Sequence, residues 1–426
     1  MKYSSGYLSP LCNICKLILT ITVFATSSAL GQNAVRLEGP GFDMQGPTAD
    51  LYGFVMADAG YNAGSIDPDW FDVMRPSKLP SFENQFGEDG ETWFGVRQSR
   101  FGIKFWRPTA KHDLRGIFEF ELFGVGADAG QTTFRLRHAY LQYNKFGAGQ
   151  YHSVFMDMDI FPDSIEYWGP TGMILFRNVQ ARYMPVMGDR HNVAISLERP
   201  GASGDAGRYD EFIASRVGLN MRSPLPDLAA HYRYSDEWGH VQLAGILRHI
   251  ELDDTTGDAF DFSEQLTGWG LNLTTKFKLG RGMLKGGLVY GEGIENYMND
   301  ATSDFAALPS PTDSNDPGLP PGGAATIPVL AASLFYDFPW SDRFTSTFGF
   351  SFQDRDLDGL AVLPVAFKSG QYALVNLTYY PVQALMTAVE LQYGRRRNFS
   401  DGWEYDAWRI QFSAKYRFSL RLGYKP

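Results

Sequence analysis

The chain has 426 residues, a formal net charge of −10 and an aromatic content of 15%. Its mean hydropathy of −0.24 is too low for a protein that crosses a membrane with several apolar helices. We expect no nucleic-acid partner for so acidic a chain. Only two cysteines are present, Cys12 and Cys15, so disulfides and cysteine metal sites are excluded from the rest of the chain.

The first 31 residues predict a secretory signal peptide. Lys2 and Lys16 precede an apolar run at 17–25, and the small residues that follow end in the triplet 29–31. We expect cleavage after this triplet, with an uncleaved anchor as the alternative. Both cysteines would leave with the signal, and the net charge would become −12 because the signal carries two lysines and no acid. We expect residues 32–48 to form a short leader. They show no heptad pattern.

Residues 49–426 predict a single barrel domain. Their segments of about ten to fifteen residues alternate apolar and polar side chains with the period of two that is typical of β-strands. The last segment is the clearest, because Trp408, Phe412 and Tyr416 alternate with Arg409 and Ser413. We count sixteen segments, an even number as single-chain bacterial barrels require. The predicted fold is all-β, a 16-stranded antiparallel transmembrane β-barrel, which at this size would enclose an aqueous channel.

Short and long connections alternate between the predicted strands. The long connections are 61–91, 155–174, 200–226 and 295–327, and short turns lie between them. Short periplasmic turns and long outer loops are typical of outer-membrane barrels of Gram-negative bacteria. The loop after the fifth strand, 155–174, is both acidic and aromatic, which is unusual for an exposed loop. We therefore predict that it folds into the barrel as a constriction loop, with packing on top of the barrel as the alternative.

The inward positions of the predicted barrel are mainly basic. A charged side chain on the lipid face would cost about 2 to 4 kcal/mol at the bilayer midplane, so these cations belong in the lumen. A basic lumen favours anions; the alternative is that these arginines only pair with inward-folded acids. The predicted pore-lining basic residues are Arg97, Arg100, Lys104, Arg135, Arg137, Arg177, Arg182, Arg233 and Arg248. The predicted acids of the constriction loop are Asp157, Asp159, Asp163 and Glu166.

The alternation of apolar and polar residues is interrupted in two places. Phe94 and Val96 are out of step with Phe101, and Phe134 is out of step with Leu141. We expect a bulge, or a strand end above the bilayer, at each place.

Three segments of the chain resemble the DcaP-like trimeric porins of Gram-negative bacteria. They are Arg-Phe-Gly-Ile at 100–103, Phe-Arg-Leu-Arg-His-Ala-Tyr at 134–140, and Gly-Gln-Tyr-His-Ser-Val-Phe-Met-Asp at 149–157, followed by Gly-Pro at 169–170. The resemblance implies a sixteen-stranded homotrimer that passes small, preferably anionic solutes. It also implies pore-lining roles for Arg100, Arg135 and Arg137 and constriction-loop roles for Asp157, Asp163 and Glu166. Unlike some relatives, the chain has no coiled-coil leader, and it ends in Pro426 rather than the usual aromatic residue.

The competing prediction is an outer-membrane barrel enzyme of the phospholipase type. Such an enzyme would need a serine, a histidine and an acid or amide together, for which His138 and Ser153 are candidates. No catalytic or phosphate-binding motif occurs, and we expect neither a cofactor nor a metal; the acidic turn at 354–359 lacks the glutamate of a calcium loop. The expected partners are outer-membrane lipid and lipopolysaccharide, small anionic solutes and two further copies of the chain.

Overall fold

The computed structural model describes residues 35–38, 47–215, 218–255, 257 and 261–423. The predicted signal peptide lies outside them. Sixteen strands form the wall of a barrel. They are β1 (Thr48–Asn62), β2 (Glu91–Gly95 and Arg100–Pro108), β3 (Asp113–Phe123), β4 (Thr132–Tyr143), β5 (Phe146–His152), β6 (Arg177–Met187), β7 (His191–Glu198), β8 (Asp227–Asp236), β9 (Gly239–Asp254), β10 (Glu264–Leu279), β11 (Gly282–Glu292), β12 (Pro328–Pro339), β13 (Phe344–Arg355), β14 (Phe367–Val382), β15 (Leu385–Asn398) and β16 (Glu404–Gly423).

The sheet closes on itself. Each strand is antiparallel to the next along the chain, and β16 is antiparallel to β1 from the pair Thr48 and Gly423 to the pair Asn62 and Arg409. Closure leaves no unpaired edge, which is the condition for a sheet to cross a bilayer. The predicted 16-stranded antiparallel barrel is confirmed.

The two faces of the wall follow the predicted alternation. On β16 the outward Trp408, Phe412 and Tyr416 are about half exposed, whereas the inward Arg409 and Gln411 are buried. Aromatic pairs lie on the outer face near both ends of the barrel, including Phe344 with Tyr379 and Tyr393 with Trp408, whose ring centroids are 4.6 and 4.8 Å apart. Two such girdles mark the two membrane interfaces of an outer-membrane barrel.

Both predicted breaks in the alternation have a local cause. In β2, residues 96–99 form a turn in which Ser99 N donates to Val96 O over 3.0 Å, and the outward set changes from Phe94 to Phe101. Between β3 and β4 the register shifts, so that Glu119 pairs with His138 and Phe120 pairs with Leu136. The extra residue is Arg137, which therefore points inward together with His138.

The connections divide by length. Those at one end have two to four residues, at 109–112, 144–145, 188–190, 237–238, 280–281, 340–343 and 383–384. Those at the other end are loop 1 (63–90), loop 2 (124–131), loop 3 (153–176), loop 4 (199–226), loop 5 (255–263), loop 6 (293–327), loop 7 (356–366) and loop 8 (399–403). The long loops lie on the outer side of such a barrel.

The long loops contain short elements of their own. A small sheet joins loops 4 and 6 through Gly204–Asp205, Phe305–Ala307 and Ala324–Thr326, and the strand Leu219–Arg222 pairs with β9. A short helix, α1 (Asp210–Ala214), lies in loop 4. The 3₁₀ turns are Pro68–Trp70, Pro76–Lys78, Gly126–Asp128, Met158–Ile160, Gly207–Tyr209 and Glu295–Tyr297. Among the described residues, no helix has the length and apolar character needed to cross a membrane.

The predicted leader contains a short strand. Val35–Glu38 pairs in parallel with Phe418–Arg421, the end of β16. The neighbouring strand β15 pairs with β16 only as far as Tyr416, so it does not reach Phe418. The leader strand therefore continues the sheet beyond the end of β15.

Candidate functional site

Loop 3 runs along the inside of the barrel wall. Its first anchor is Asp157, whose carboxylate accepts hydrogen bonds from Arg233 at 2.6 Å, from His240 at 2.7 Å and from Thr274 at 2.7 Å. These partners belong to the inward-facing sets of β8, β9 and β10. Burial disfavours the charged form of Asp157, but the hydrogen bond from His240 and the charge of Arg233 outweigh it and lower the pKa of Asp157 to about 2.

The middle of loop 3 contacts the opposite part of the wall. Lys285 on β11 donates to Phe161 O over 2.7 Å and lies 3.3 Å from an oxygen of Asp163. Ile165 N donates to the buried Glu390 on β15 over 2.9 Å, and Gln411 on β16 donates to Ile165 O over 3.2 Å. The loop therefore contacts inward-facing side chains of strands from β8 to β16.

Glu166 is a buried carboxyl group at the turn of loop 3. It accepts hydrogen bonds from the backbone amides of Met74, at 3.1 Å, and Gly169, and from the hydroxyl of Tyr372. Burial raises the pKa of Glu166 to about 7, although the nearby guanidinium of Arg409 acts in the opposite direction. Glu166 thus connects loop 3 with loop 1 and with the wall.

Tyr167 brings loop 3 to the wall at β3 and β4. Its ring stacks on Phe123 with centroids 3.8 Å apart, and its hydroxyl donates to Glu121. The same hydroxyl accepts hydrogen bonds from Arg135 and Arg137, each at 3.4 Å. Sequence reasoning gave Tyr167 no role, although the aromatic character of the loop was its signal.

Four of the predicted lumen arginines surround two buried glutamates. Arg137 donates to Glu119 over 2.7 Å and to Glu121 over 2.6 Å. Three further arginines lie 3.4 to 3.8 Å from Glu121, and they are Arg100, Arg135 and Arg177. Four guanidinium groups against two carboxylates leave two positive charges in this cluster.

The strand register places part of this cluster in a lateral row, which we call the basic row. Arg417 on β16 pairs with Phe54 on β1, and Phe54 pairs with Arg100 on β2. Arg100 pairs with Glu121 on β3, which pairs with Arg135 on β4. The row therefore presents three cations and one acid side by side across five neighbouring strands.

Two lysines flank the basic row. Lys104 lies over the ring of Tyr52 at 4.8 Å and Lys415 over the ring of Phe54 at 4.9 Å. In the described part of the chain, neither lysine has a carboxylate within 4.0 Å. Tyr52 in turn donates to Glu119 over 2.6 Å.

The remaining predicted lumen cations have specific partners. Arg97 pairs with Asp72 of loop 1 at 2.7 Å, and Arg248 pairs with Asp304 of loop 6 at 2.7 Å; both arginines are buried. Arg182 is half-buried and donates to Gln180 over 3.0 Å. Arg97 and Arg248 therefore hold outer loops and have little surface to offer a solute.

The four predicted loop acids differ in exposure. Asp157 and Glu166 are buried, whereas the side chains of Asp159 and Asp163 are 51% and 67% exposed. Asp157, Asp159 and His240 form a group of three residues whose potential metal-ligand atoms lie within 4.8 Å of one another. Arg233 contacts both carboxylates of this group, so a positive charge is already present there.

The two candidates for an enzyme site belong to separate networks. His138 lies 3.8 Å from Glu119 and packs on His152, with ring centroids 4.6 Å apart. Ser153 donates to Glu198 over 3.0 Å. Among the described residues no hydrogen bond joins His138 to Ser153, and both are buried.

Residues 78–290, half of the chain, match the family model described as DcaP outer membrane protein. The chain belongs to the DcaP outer membrane protein family. The family and the closed barrel place this protein in the outer membrane of a Gram-negative bacterium, in a family of porin-like channels. No curated protein matches the sequence.

Three solved structures share the fold of this DcaP-family protein. The outer membrane channel DcaP of Acinetobacter baumannii has a TM-score of 0.71 and 23% identity, over 88% of this chain and 99% of that one. An anion-selective porin from Comamonas acidovorans has a TM-score of 0.54 and 10% identity, over 87% and 100%. The trimer form of OmpT, an outer membrane protein of Vibrio cholerae, has a TM-score of 0.51 and 14% identity, over 88% and 100%.

Proposed function

We propose that this protein forms a water-filled channel through which small, hydrophilic, preferably anionic solutes diffuse passively. The observation that carries the proposal is the basic row with its two flanking lysines, for which the described residues supply no ion-pair partner. A cluster of fixed positive charge within low-dielectric walls raises the local concentration of anions and lowers that of cations.

The pairing of arginines with glutamates weakens this field but does not cancel it. The cluster around Glu119 and Glu121 has four guanidinium groups and two carboxylates. Lys104, Lys415 and Arg417 add positive charge beside it. The residues that we propose to line the solute path are therefore Arg100, Lys104, Arg135, Arg182, Lys415 and Arg417.

We also propose that loop 3 forms the constriction. Its contacts with β3, β4, β8, β11, β15 and β16 support this role, because a segment in such a position narrows the interior. Asp159 and Asp163 are its two exposed acids, and they pair with Arg233 and Lys285. Loop 3 would thus form the acidic border of a path whose other border is the basic row.

The proposed assembly is a homotrimer. The outward face between β2 and β4 carries a contiguous set of phenylalanines, with ring centroids of Phe101 and Phe120 5.5 Å apart and of Phe120 and Phe134 5.2 Å apart. Phe134 is largely exposed on this face. A flat aromatic surface suits contact with a second copy, and the rest of the outer face suits lipid and lipopolysaccharide.

Reconstitution in a planar bilayer tests the proposal directly. We expect openings in groups of three and, under a salt gradient, a reversal potential of the sign that anion preference produces. A cation-signed potential would contradict anion preference. A silent bilayer containing correctly folded protein would contradict the channel itself and would make lipid hydrolysis, the reaction of the alternative enzyme, the next assay.

A further inference from the structure

A buried arginine of loop 1 contacts two tryptophans from different loops. The guanidinium carbon of Arg75 is 4.2 Å from the ring centroid of Trp70 in loop 1 and 4.3 Å from that of Trp168 in loop 3. The two rings contact each other edge to face at 4.7 Å. Desolvated contacts of this kind between a cation and aromatic rings are among the stronger ones in proteins.

The negative partner of Arg75 comes from loop 6. Asp300 accepts a hydrogen bond from Arg75 Nε over 3.0 Å, from Ser77 N over 2.8 Å and from Ser77 Oγ over 2.5 Å. It also accepts one from Thr171 of loop 3 over 3.3 Å. Arg75 and Asp300 are both buried. We call Arg75, Trp70, Trp168 and Asp300 the Arg75 cluster; it joins loops 1, 3 and 6.

The return half of loop 3 is bonded to loop 6 next to this cluster. Trp168 Nε1 donates to Asn299 O over 2.7 Å. The side-chain amide of Asn299 donates to Trp168 O and to Pro170 O, each over 2.8 Å. Ile174 and Met298 form an antiparallel bridge. Backbone hydrogen bonds from Leu175 N to Tyr297 O and from Asn299 N to Met173 O flank the bridge.

We propose that Arg75 is a positioning residue that fixes the constriction loop from the side of the outer loops. Its charge, its two ring contacts and its hydrogen bond to Asp300 hold loop 3 in one position relative to the barrel wall. The channel would then keep one width only while the Arg75 cluster is intact. This inference rests on the proposed role of loop 3 as the constriction.

Three variants separate the role of Arg75 from general damage. Arg75→Gln leaves the buried carboxylate of Asp300 without its ion-pair partner, whereas the double variant R75Q/D300N removes both charges of the pair and should fold more readily. The matched control is Lys78→Gln in the same loop, since Lys78 is partly exposed and its ion pair with Asp67 is long, at 4.0 Å. We expect brief current transitions to be at least about tenfold more frequent in both Arg75 variants and unchanged in frequency in the control, because both variants lose the desolvated contacts of the guanidinium with Trp70 and Trp168.

A reversible cross-link provides the rescue. Ile174 and Met298 are a non-hydrogen-bonded antiparallel pair, whose Cα atoms lie about 4.5 Å apart in such geometry, within the range that a disulfide spans. The only native cysteines are Cys12 and Cys15, in the predicted signal. In the R75Q background, oxidised I174C/M298C should return the current to the quiet pattern, and reductant should abolish the effect.

Hydrogen exchange of residues 168–175 measures the cluster without requiring conduction. We expect these amides to be protected in the wild type and in Lys78→Gln, and to exchange at least about tenfold faster in R75Q/D300N, since opening of a segment sets its exchange rate. Unchanged exchange and unchanged current in the Arg75 variants, with the barrel intact, would overturn the inference. A wild-type protein that does not conduct but shows the expected exchange would overturn the proposed function and leave the positioning role of Arg75 established.

Discussion

Arg137 on β4 donates a hydrogen bond from Nη1 to Glu121 Oε2 on β3 across 2.6 Å, where the two side chains are 11% and 0% exposed. Arg100 and Arg135 contact the same glutamate at 3.4 and 3.8 Å and are 25% and 27% exposed. One buried carboxylate is therefore shared between an arginine that stabilises the wall and two that face solvent. This difference predicts that substitution of Arg137 lowers stability, whereas substitution of Arg100 and Arg135 changes ion selectivity.

Arg137→Gln should damage the barrel. The substitution leaves two buried glutamates without their nearest cation, which we expect to cost about 3 kcal/mol of unfolding free energy. Unfolding in denaturant, followed by tryptophan fluorescence in detergent, measures this cost. The control is Arg135→Gln, whose longer and more exposed ion pair should cost less than about 1 kcal/mol. Equal stability of the two variants would show that Arg137 has no special structural role.

The double variant R100Q/R135Q should weaken anion preference with little effect on folding. It removes two of the three cations of the basic row, so we expect the anion-to-cation permeability ratio to fall by at least about twofold. Reversal potentials under a salt gradient measure this ratio. The control is R281Q/R397Q, which removes two exposed cations from a turn and from the outer face of the barrel. An unchanged ratio in R100Q/R135Q would remove these side chains from the selectivity filter.

Neutralising the exposed acids of loop 3 should have the opposite sign. D159N/D163N leaves Arg233 and Lys285 with fewer counter-charges and should raise the permeability ratio for anions. Asp157→Asn is the contrasting variant, because Asp157 is buried beneath Arg233, His240 and Thr274 and its loss should reduce stability instead. The same bilayer measurement, paired with an unfolding curve, separates the two effects. A ratio that stays constant in D159N/D163N would place loop 3 away from the solute path.

The strands and the direction of their faces could be predicted because a period of two is a local property of sequence. The basic character of the interior followed from the same alternation. Which arginines remain available to a solute could not be predicted, because that depends on tertiary partners. Arg97 meets Asp72 only after loop 1 folds inward, and Arg75 meets Asp300 from 225 residues away. The bulge at Arg137 was visible only as a conflict between neighbouring apolar residues.

Phe350→Arg tests which side of the wall faces lipid. Phe350 is 42% exposed at the middle of β13, between Leu334 on β12 and Ala373 on β14. An arginine at this depth should cost about 2 to 4 kcal/mol and reduce the yield of folded barrel in vesicles. Phe350→Leu keeps the face apolar and should assemble normally. Normal assembly of Phe350→Arg would mean that the inner and outer faces are exchanged.

The packing of loop 3 around Glu166 should depend on pH. The pKa of this carboxyl is raised by burial to about 7, above the usual value of about 4.3. Because the folded protein binds this proton more tightly than the unfolded chain does, the contribution of Glu166 to stability is full below about pH 4.3 and is lost as the pH rises from there through about 7. Glu166→Gln stays neutral and should show no such loss.

Local exchange is the better measurement here, since burial also raises the pKa of Glu295 in loop 6, to about 8, and a global melting temperature would combine the two groups. We expect residues 166–169 of the wild type to exchange faster than those of Glu166→Gln at pH 8, and at the same rate at pH 4.5. Comparing the two proteins at each pH removes the intrinsic pH dependence of exchange. A difference that is constant between pH 4.5 and 8 would show that Glu166 does not change its charge in this range.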